Sequence, residues 1–194
     1  MAIDNIIQKE EASLIKKAGK ALYNGFYTAL AGASTYISYG FVGMYGALTG
    51  FAFSAGRLII NKIKRVKTKY SDIVKEYIIG VIAGSVGAKL YEYAGYISNI
   101  DLKGKIIRGL AGITVANPIF TGAYVGADHI IKNDFNPIGI GNKFKNNYWP
   151  ILKDITKWLG IPVALTINGY LGGYPGIVAM DTGYRVIAEY AKKK

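Results

Sequence analysis

Residues Ala21 to Gly56 run for 36 positions without one charged side chain. A helix needs about 20 predominantly apolar residues to cross a bilayer. The run is therefore long enough for two spans and a tight turn, with Leu58, Ile59 and Ile60 extending the second. Lys16, Lys17 and Lys20 precede it, and Lys62, Lys64, Arg65, Lys67 and Lys69 follow it. Lys and Arg collect on the cytoplasmic side of a membrane, so basic flanks at both ends predict a hairpin turning near Ser38 to Phe41. The competing reading is a buried hairpin in a water-soluble core, which would normally alternate with polar faces.

Two further hairpins follow on the same reasoning. A third apolar segment spans Tyr77 to Ile97, and a fourth spans Ile106 to Ile131, interrupted by Asn117-Pro118. Their connection, Ser98 to Lys105, would lie outside. Trp158 to Met180 is again free of charge, but Leu171-Gly172-Gly173-Tyr174-Pro175-Gly176 reads as a turn in its middle. This predicts a fifth helix over Pro150 to Tyr170 and a sixth over Gly176 to Ala191. Six spans place sixteen basic residues inside, whereas five would put the Lys192 to Lys194 tail outside, against the charge rule. Met1 to Lys20 mixes Ile6, Ile7, Leu14 and Ile15 with charges and reads as an amphipathic segment lying on the inner surface. The expected architecture is all-α: an interfacial segment over residues 1–20 and a transmembrane helical domain over residues 21–194, six spans in three hairpins, with five as the alternative.

Composition narrows the chemistry. With no Cys and one His, disulfides, zinc thiolates, a Cys nucleophile and multi-histidine metal sites are excluded. No catalytic motif or carboxylate cluster with metal spacing appears, so neither an enzyme nor a cofactor or metal is expected. The net charge of +12 would suggest nucleic acid in a soluble protein. Here the cations lie between apolar stretches and suit a membrane surface instead. Mean hydropathy is only +0.21 because 16 Tyr and the clustered Lys offset the apolar runs.

The 25 Gly recur with Ala at four-residue spacing: Gly43 and Ala47, Gly46 and Gly50, Ala52 and Gly56, Gly80 and Gly84, Gly122 and Gly126. Such faces let helix backbones approach closely. Most Tyr read as interface anchors, while Tyr27, Tyr45 and Tyr124 are placed to line a polar route. Prolines carry a sharper signal. Pro118, Pro162 and Pro175 each remove a donor, and a carbonyl freed at membrane depth must find a partner or line a wet cavity. Asn117, with donor and acceptor together, suits recognition of a small polar solute.

Charges within spans are costly and therefore candidate pathway residues. Lys89 and Glu92, three apart, can simply pair; otherwise Glu92 is a proton or cation site. Asp128 and His129 end the fourth helix, Asp181 and Arg185 sit four apart on the sixth, and Arg57 lies near the inner end of the second. An Asp128–Arg57 or Asp181–Arg57 pair would neutralise charge between helices, as a lock or a gate. His129 reads as a solvated interface residue. A short repeat links Ala52 to Arg57 with Ala179 to Arg185, as A-x-x-x-G-R against A-x-x-x-G-x-R.

Thr114-Val115-Ala116-Asn117-Pro118-Ile119-Phe120, followed by Val125-Gly126-Ala127-Asp128, resembles the small bacterial L-alanine exporters, as do Gly176, Asp181 and Arg185 of the last helix. The likeness covers about a third of the chain. The exporters are shorter, are read as four spans, and have no counterpart of the Tyr77 to Ile97 helix. The resemblance implies ion-driven export of a small amino acid. Trp149-Pro150 and Gly160-Ile161-Pro162 are similar to a peroxisomal and mitochondrial channel family.

The expected function is secondary transport or export of a small polar solute such as an amino acid, in the plasma membrane with both termini cytoplasmic. Asn117, Pro118, Glu92, Lys89, Asp128, Asp181, Arg57 and Arg185 are the pathway candidates. The expected partners are the lipid bilayer, the solute and, in a homo-oligomer, further copies of the chain, but not nucleic acid. A non-specific channel, or a structural or accessory membrane protein binding lipid or a partner, is the alternative.

Overall fold

The computed structural model describes the backbone of residues 2–97, 100–170 and 172–191, and the side chains of residues 12–97, 100–170 and 172–187. Ser98, at the start of an expected loop, Leu171, in an expected turn, and the Lys192 to Lys194 tail lie outside them, as do the side chains of Ile6, Ile7 and Lys9. Six long helices and no strand make up the described residues. Helix α1 is Ala2–Val42, α2 is Tyr45–Lys64 and α3 is Tyr70–Gly95. Helix α4 is Leu102–Lys132. Helix α5 runs without a break through Ile140–Lys143, Phe144–Tyr148 and Trp149–Ile167, and α6 is Gly173–Ala191.

Local chemistry sets these ends. Gly43, at φ 62°, supplies the left-handed residue that reverses the chain between α1 and α2. The turn falls a few residues beyond Ser38 to Phe41 because Ser38 is buried beneath it, accepting a 2.7 Å hydrogen bond from Ser85 on α3. Lys62 and Lys64 occupy the last turn of α2, where cations favour the helix dipole. Asp101 caps α4 by accepting from the Gly104 amide at 2.7 Å. Helix α1 passes through Gly19, Lys20 and Ala21 unbroken, because neither charge nor a single glycine ends a helix and this stretch has no proline.

The prolines do not interrupt their helices. In α4, residues Gly112–Ala116 widen into a π-helical stretch directly ahead of Asn117-Pro118, and the Asn117 amide donates to the Gly112 carbonyl five residues back. The wider turn accommodates the missing proline donor within a continuous rod. Helix α5 repeats the device at Phe144–Tyr148, directly ahead of Trp149-Pro150. It then crosses Pro162, whose carbonyl accepts from the Thr166 hydroxyl at 2.7 Å. Pro175 lies in the first turn of α6, where a missing donor costs nothing.

The helices form three antiparallel hairpins, with α3 at the centre against α1, α2 and α4, and α6 against α2 and α5. Small residues govern the closest crossing. Gly46 and Gly50 of α2 face Gly80 and Gly84 of α3, so tightly that a Cβ on Gly80 would lie 2.8 Å from the Gly50 Cα. Gly56 abuts Thr182 of α6, while Gly122 and Gly126 receive the rings of Tyr148 and Phe144. Gly43 differs from the expectation: it faces open space and serves the turn. Loops 65–69 and 133–139 share one end of the bundle, here termed the basic end. By length and composition, among the described residues, Leu102–Lys132 alone is long and apolar enough to cross a membrane, with mean hydropathy 1.2.

Gly80→Ala should lower the thermal unfolding midpoint, since the new methyl meets backbone rather than a flexible side chain. Overpacking of this kind costs about 1–3 kcal/mol. Gly25→Ala, where nothing lies within 4 Å, is the control and should unfold no earlier than wild type.

Candidate functional site

A cavity of about 290 Å³ opens between α2, α3, α4, α5 and α6 toward the basic end. Its walls are rich in charge: Arg57 and Lys64 from α2, Glu76 from α3, Lys132 from α4, Asp154 from α5, and Asp181 and Arg185 from α6. A smaller chamber of about 60 Å³ adjoins it, sharing Phe53, Ile155 and Asp181. This chamber is nearly all apolar, except where Thr49, Asn117, Tyr174 and Asp181 reach it. Asp181 thus lines both the charged cavity and the largely apolar chamber.

Most of the charge is already neutralised within the protein. Asp181 accepts from Arg185 Nε at 2.8 Å, an i,i+4 pair along α6. The Arg185 guanidinium lies over the rings of Phe53 at 4.4 Å and Tyr124 at 4.6 Å. Lys132 bridges Glu76 at 2.9 Å and Asp128 at 2.5 Å, and Lys143 holds the other Asp128 oxygen at 2.9 Å. Buried carboxylates are thereby paired, as their desolvation requires. Three buried donors that line the cavities stay unmatched: Arg57 Nε, Asn117 Nδ2 and Thr182 Oγ1.

The candidate residues separate into three groups. Asn117, Asp181, Arg57 and Arg185 converge on the two connected cavities. Asp128 belongs to the lysine-paired network at their edge. Lys89 and Glu92 pair with each other at 2.8 Å, and both are partly solvent-exposed, so Glu92 does not share a cavity with Asn117. Pro118 offers its carbonyl to the Tyr148 hydroxyl at 3.3 Å rather than to a cavity. The expected Asp128–Arg57 and Asp181–Arg57 pairs do not form. Each aspartate finds a cation one turn along its own helix, which costs less chain entropy than reaching across. His129 is buried rather than solvated, with Nε2 3.1 Å from the Ile138 carbonyl and Nδ1 3.0 Å from Asn133. Of the three Tyr singled out for a polar route, Tyr124 lines the larger cavity, Tyr45 is exposed, and Tyr27 is buried elsewhere.

Two arrangements escaped sequence reasoning. Arg108, buried, donates to the carbonyls of Gly95 and Ile97 and, at 3.4 Å, to that of Ile167, tying α3, α4 and α5 at the end opposite the cavity. Asp134, in the loop after α4, accepts on one oxygen from Lys75 at 2.6 Å, Tyr27 at 2.6 Å and Tyr23 at 2.9 Å. The Lys75 ammonium first, and then the Tyr27 hydroxyl, hold its carboxyl down at about 2. Because the folded value lies below the unfolded one, this contribution to stability is present above the ordinary carboxylate range. It is lost as pH falls through about 2.

Asp134→Ala should destabilise by about 1–2 kcal/mol, since the carboxylate is largely exposed but leaves Lys75 buried and unpaired. Adding Lys75→Met should recover part of that loss in a double-mutant cycle; strictly additive losses would contradict the clamp. As to kinship, no protein-family model, no curated protein and no solved structure matches this chain.

Proposed function

We propose that this chain is a polytopic helical membrane protein that carries a small polar solute, such as an amino acid, by secondary transport. The observation that carries the reading is the charged cavity at the basic end, with an adjoining, largely apolar chamber that is lined by Asp181 as well and by the unmatched Asn117 amide. Ligand sites commonly have this character, mainly apolar with a few convergent polar groups.

The distribution of polarity supports a lipid surround. Phe51, Leu110, Ile119 and Ile161, from the middle parts of α2, α4 and α5, are exposed, while Thr49, Asn117, Thr121, Thr166 and Asp181 are buried. An extended apolar exterior of this kind marks an interaction surface, and in a helical bundle hydrocarbon is the fitting solvent. Basic residues at the loop 65–69 and 133–139 end favour that end being cytoplasmic, with the plasma membrane as the proposed location. The partial resemblance to alanine exporters points the same way.

Tyr174 favours a carrier over the channel alternative: it lines the chamber, and its hydroxyl donates to the Gly84 carbonyl at 2.7 Å and lies 3.2 Å from Thr49, joining α2, α3 and α6 there. Beyond it, the Arg108 tie holds the opposite end together. Arg57, Asn117 and Thr182 line the cavities and keep buried donors without partners, which a purely structural bundle does not need, although the plain Lys89–Glu92 pair would suit one.

Two experiments bear on this. Because the chain has no native Cys, Thr68→Cys and Lys103→Cys can each be labelled singly; the first should react only from the cytoplasmic face and the second only from the other. Labelling of both from one face would defeat the topology. In proteoliposomes, Asp181→Asn should cut gradient-driven solute flux about tenfold or more, the effect of weakening one charge-assisted hydrogen bond. Folded wild-type protein that moves no small solute under any gradient would end the carrier reading.

A further inference from the structure

Among the described residues, Arg57 alone of the cavity's cations lacks an ion-pair or hydrogen-bond partner. Arg185 is held by Asp181, Lys132 by Glu76 and Asp128, and Lys64 is engaged elsewhere. The Arg57 Nε proton is nevertheless cut off from solvent. On the facing helix the Thr182 hydroxyl is also buried without a partner and lines the same cavity. The two are brought together by the contact between α2 and α6. A Cβ on Gly56, the residue before Arg57, would sit 3.3 Å from the Thr182 methyl, and Arg57 and Thr182 both line the cavity.

Buried polar groups without partners are rare, and each calls for a ligand or other explanation. A guanidinium and a hydroxyl that line one cavity can both donate, and what would complete them is an anion with at least two acceptor oxygens. The remaining charges fit this sign. With Arg185, Lys132 and Glu76 already committed, the unmatched wall is positive, while Asp154 stands exposed on α5.

We propose that Arg57 and Thr182 form an oxyanion-binding site in the wall of the basic-end cavity, and that its occupant is the carboxylate, or an equivalent oxyanion, of the transported solute. The word transported rests on the carrier reading above; the binding site itself does not.

A reporter is built in. Trp158 stacks on Tyr184, with centroids 6.0 Å apart, and Tyr184 lines the cavity. Tryptophan emission would be titrated with propionate, inorganic phosphate, ethylammonium and urea, using protein in nanodiscs of phosphatidylcholine alone and of phosphatidylcholine with phosphatidylglycerol. The expected result is a saturable response to propionate in the neutral discs and none to ethylammonium or urea. Arg57→Gln should weaken it about tenfold or more, and Arg57→Lys, which keeps the charge but not the fork, should fall between. Thr182→Val, which leaves every charge in place, should weaken it less and keeps the test usable if Arg57→Gln fails to regain wild-type helicity by circular dichroism.

Equal responses from wild type and Arg57→Gln, or a response to ethylammonium and urea as strong as to propionate, would overturn the site. A response to phosphate in neutral discs with none to propionate would support the oxyanion site and correct its carboxylate assignment. A change on adding phosphatidylglycerol, with none to propionate or phosphate in neutral discs, would assign the groups to a lipid headgroup and overturn the solute assignment. Propionate binding that depends on Arg57 without any flux would leave the site standing and the carrier reading fallen. Flux of an uncharged solute untouched by Arg57→Gln would do the reverse.

Discussion

The contact between the backbones of α2 and α3 at Gly50 and Gly80 sets the geometry of everything near the cavity. Because neither residue has a side chain, the two helices cross closely, and the neighbouring pairs Gly46 and Gly84 extend the same seam. Toward the basic end the two helices stay in touch, with the Ser54 hydroxyl donating to the Ile73 carbonyl at 3.2 Å. Arg57 and Glu76 both lie on that stretch, which is why a cation from α2 and a carboxylate from α3 share a cavity. Larger side chains at the crossing would spread the helices along their whole length, and the α6 contact at Gly56 would loosen with them.

Electrostatics is arranged around the same seam. Aspartates are paired within their own helices where a cation lies one turn away, as with Asp181 and Arg185 or Asp128 and Lys132. Lysines then reach between elements: Lys132 to α3, Lys143 back to α4, and Lys75 to the loop at Asp134. The basic end is therefore stitched by lysine to carboxylate contacts, while at the far end Arg108 and Asn168 donate to backbone carbonyls. The two ends differ in chemistry, and they will differ in how salt affects them, since the Arg108 contacts are buried while the Asp134 carboxylate paired with Lys75 is open to screening.

Much of the helix order was legible. The glycines at Gly172-Gly173 marked the last turn, apolar runs marked the rods, and the i,i+3 spacing of Lys89 and Glu92 identified a local pair, whereas Gly43 read as a packing residue and serves a turn instead. The spacing of the small residues also anticipated a close crossing, although nothing in the chain said which partner each glycine would meet. What could not be read was azimuth. The sequence leaves Arg57 equally able to reach Asp128 or Asp181; only the rotation of each helix decides that it reaches neither. Proline was over-read for a related reason: it removes one donor, and a helix can widen locally instead of breaking. Asp134 was invisible because its three donors come from α1 and α3, 59 to 111 residues away along the chain.

The widened turns ahead of Pro118 and Pro150 carry a consequence for how the rods present themselves. A π-type stretch holds one residue more than an α-helical turn of the same height, and each residue of an α-helix rotates by about 100°. The apolar stripe of α4 therefore jumps in angle at Gly112–Ala116, and with that jump both halves meet α5, Gly109 at Ala164 and Gly122 at Tyr148. Removing one residue from that stretch would turn the whole later half by about 100°, Asp128 and Lys132 included, away from its present companions. Helical phase, more than helix length, is thus what keeps the second half of α4 facing the cavity.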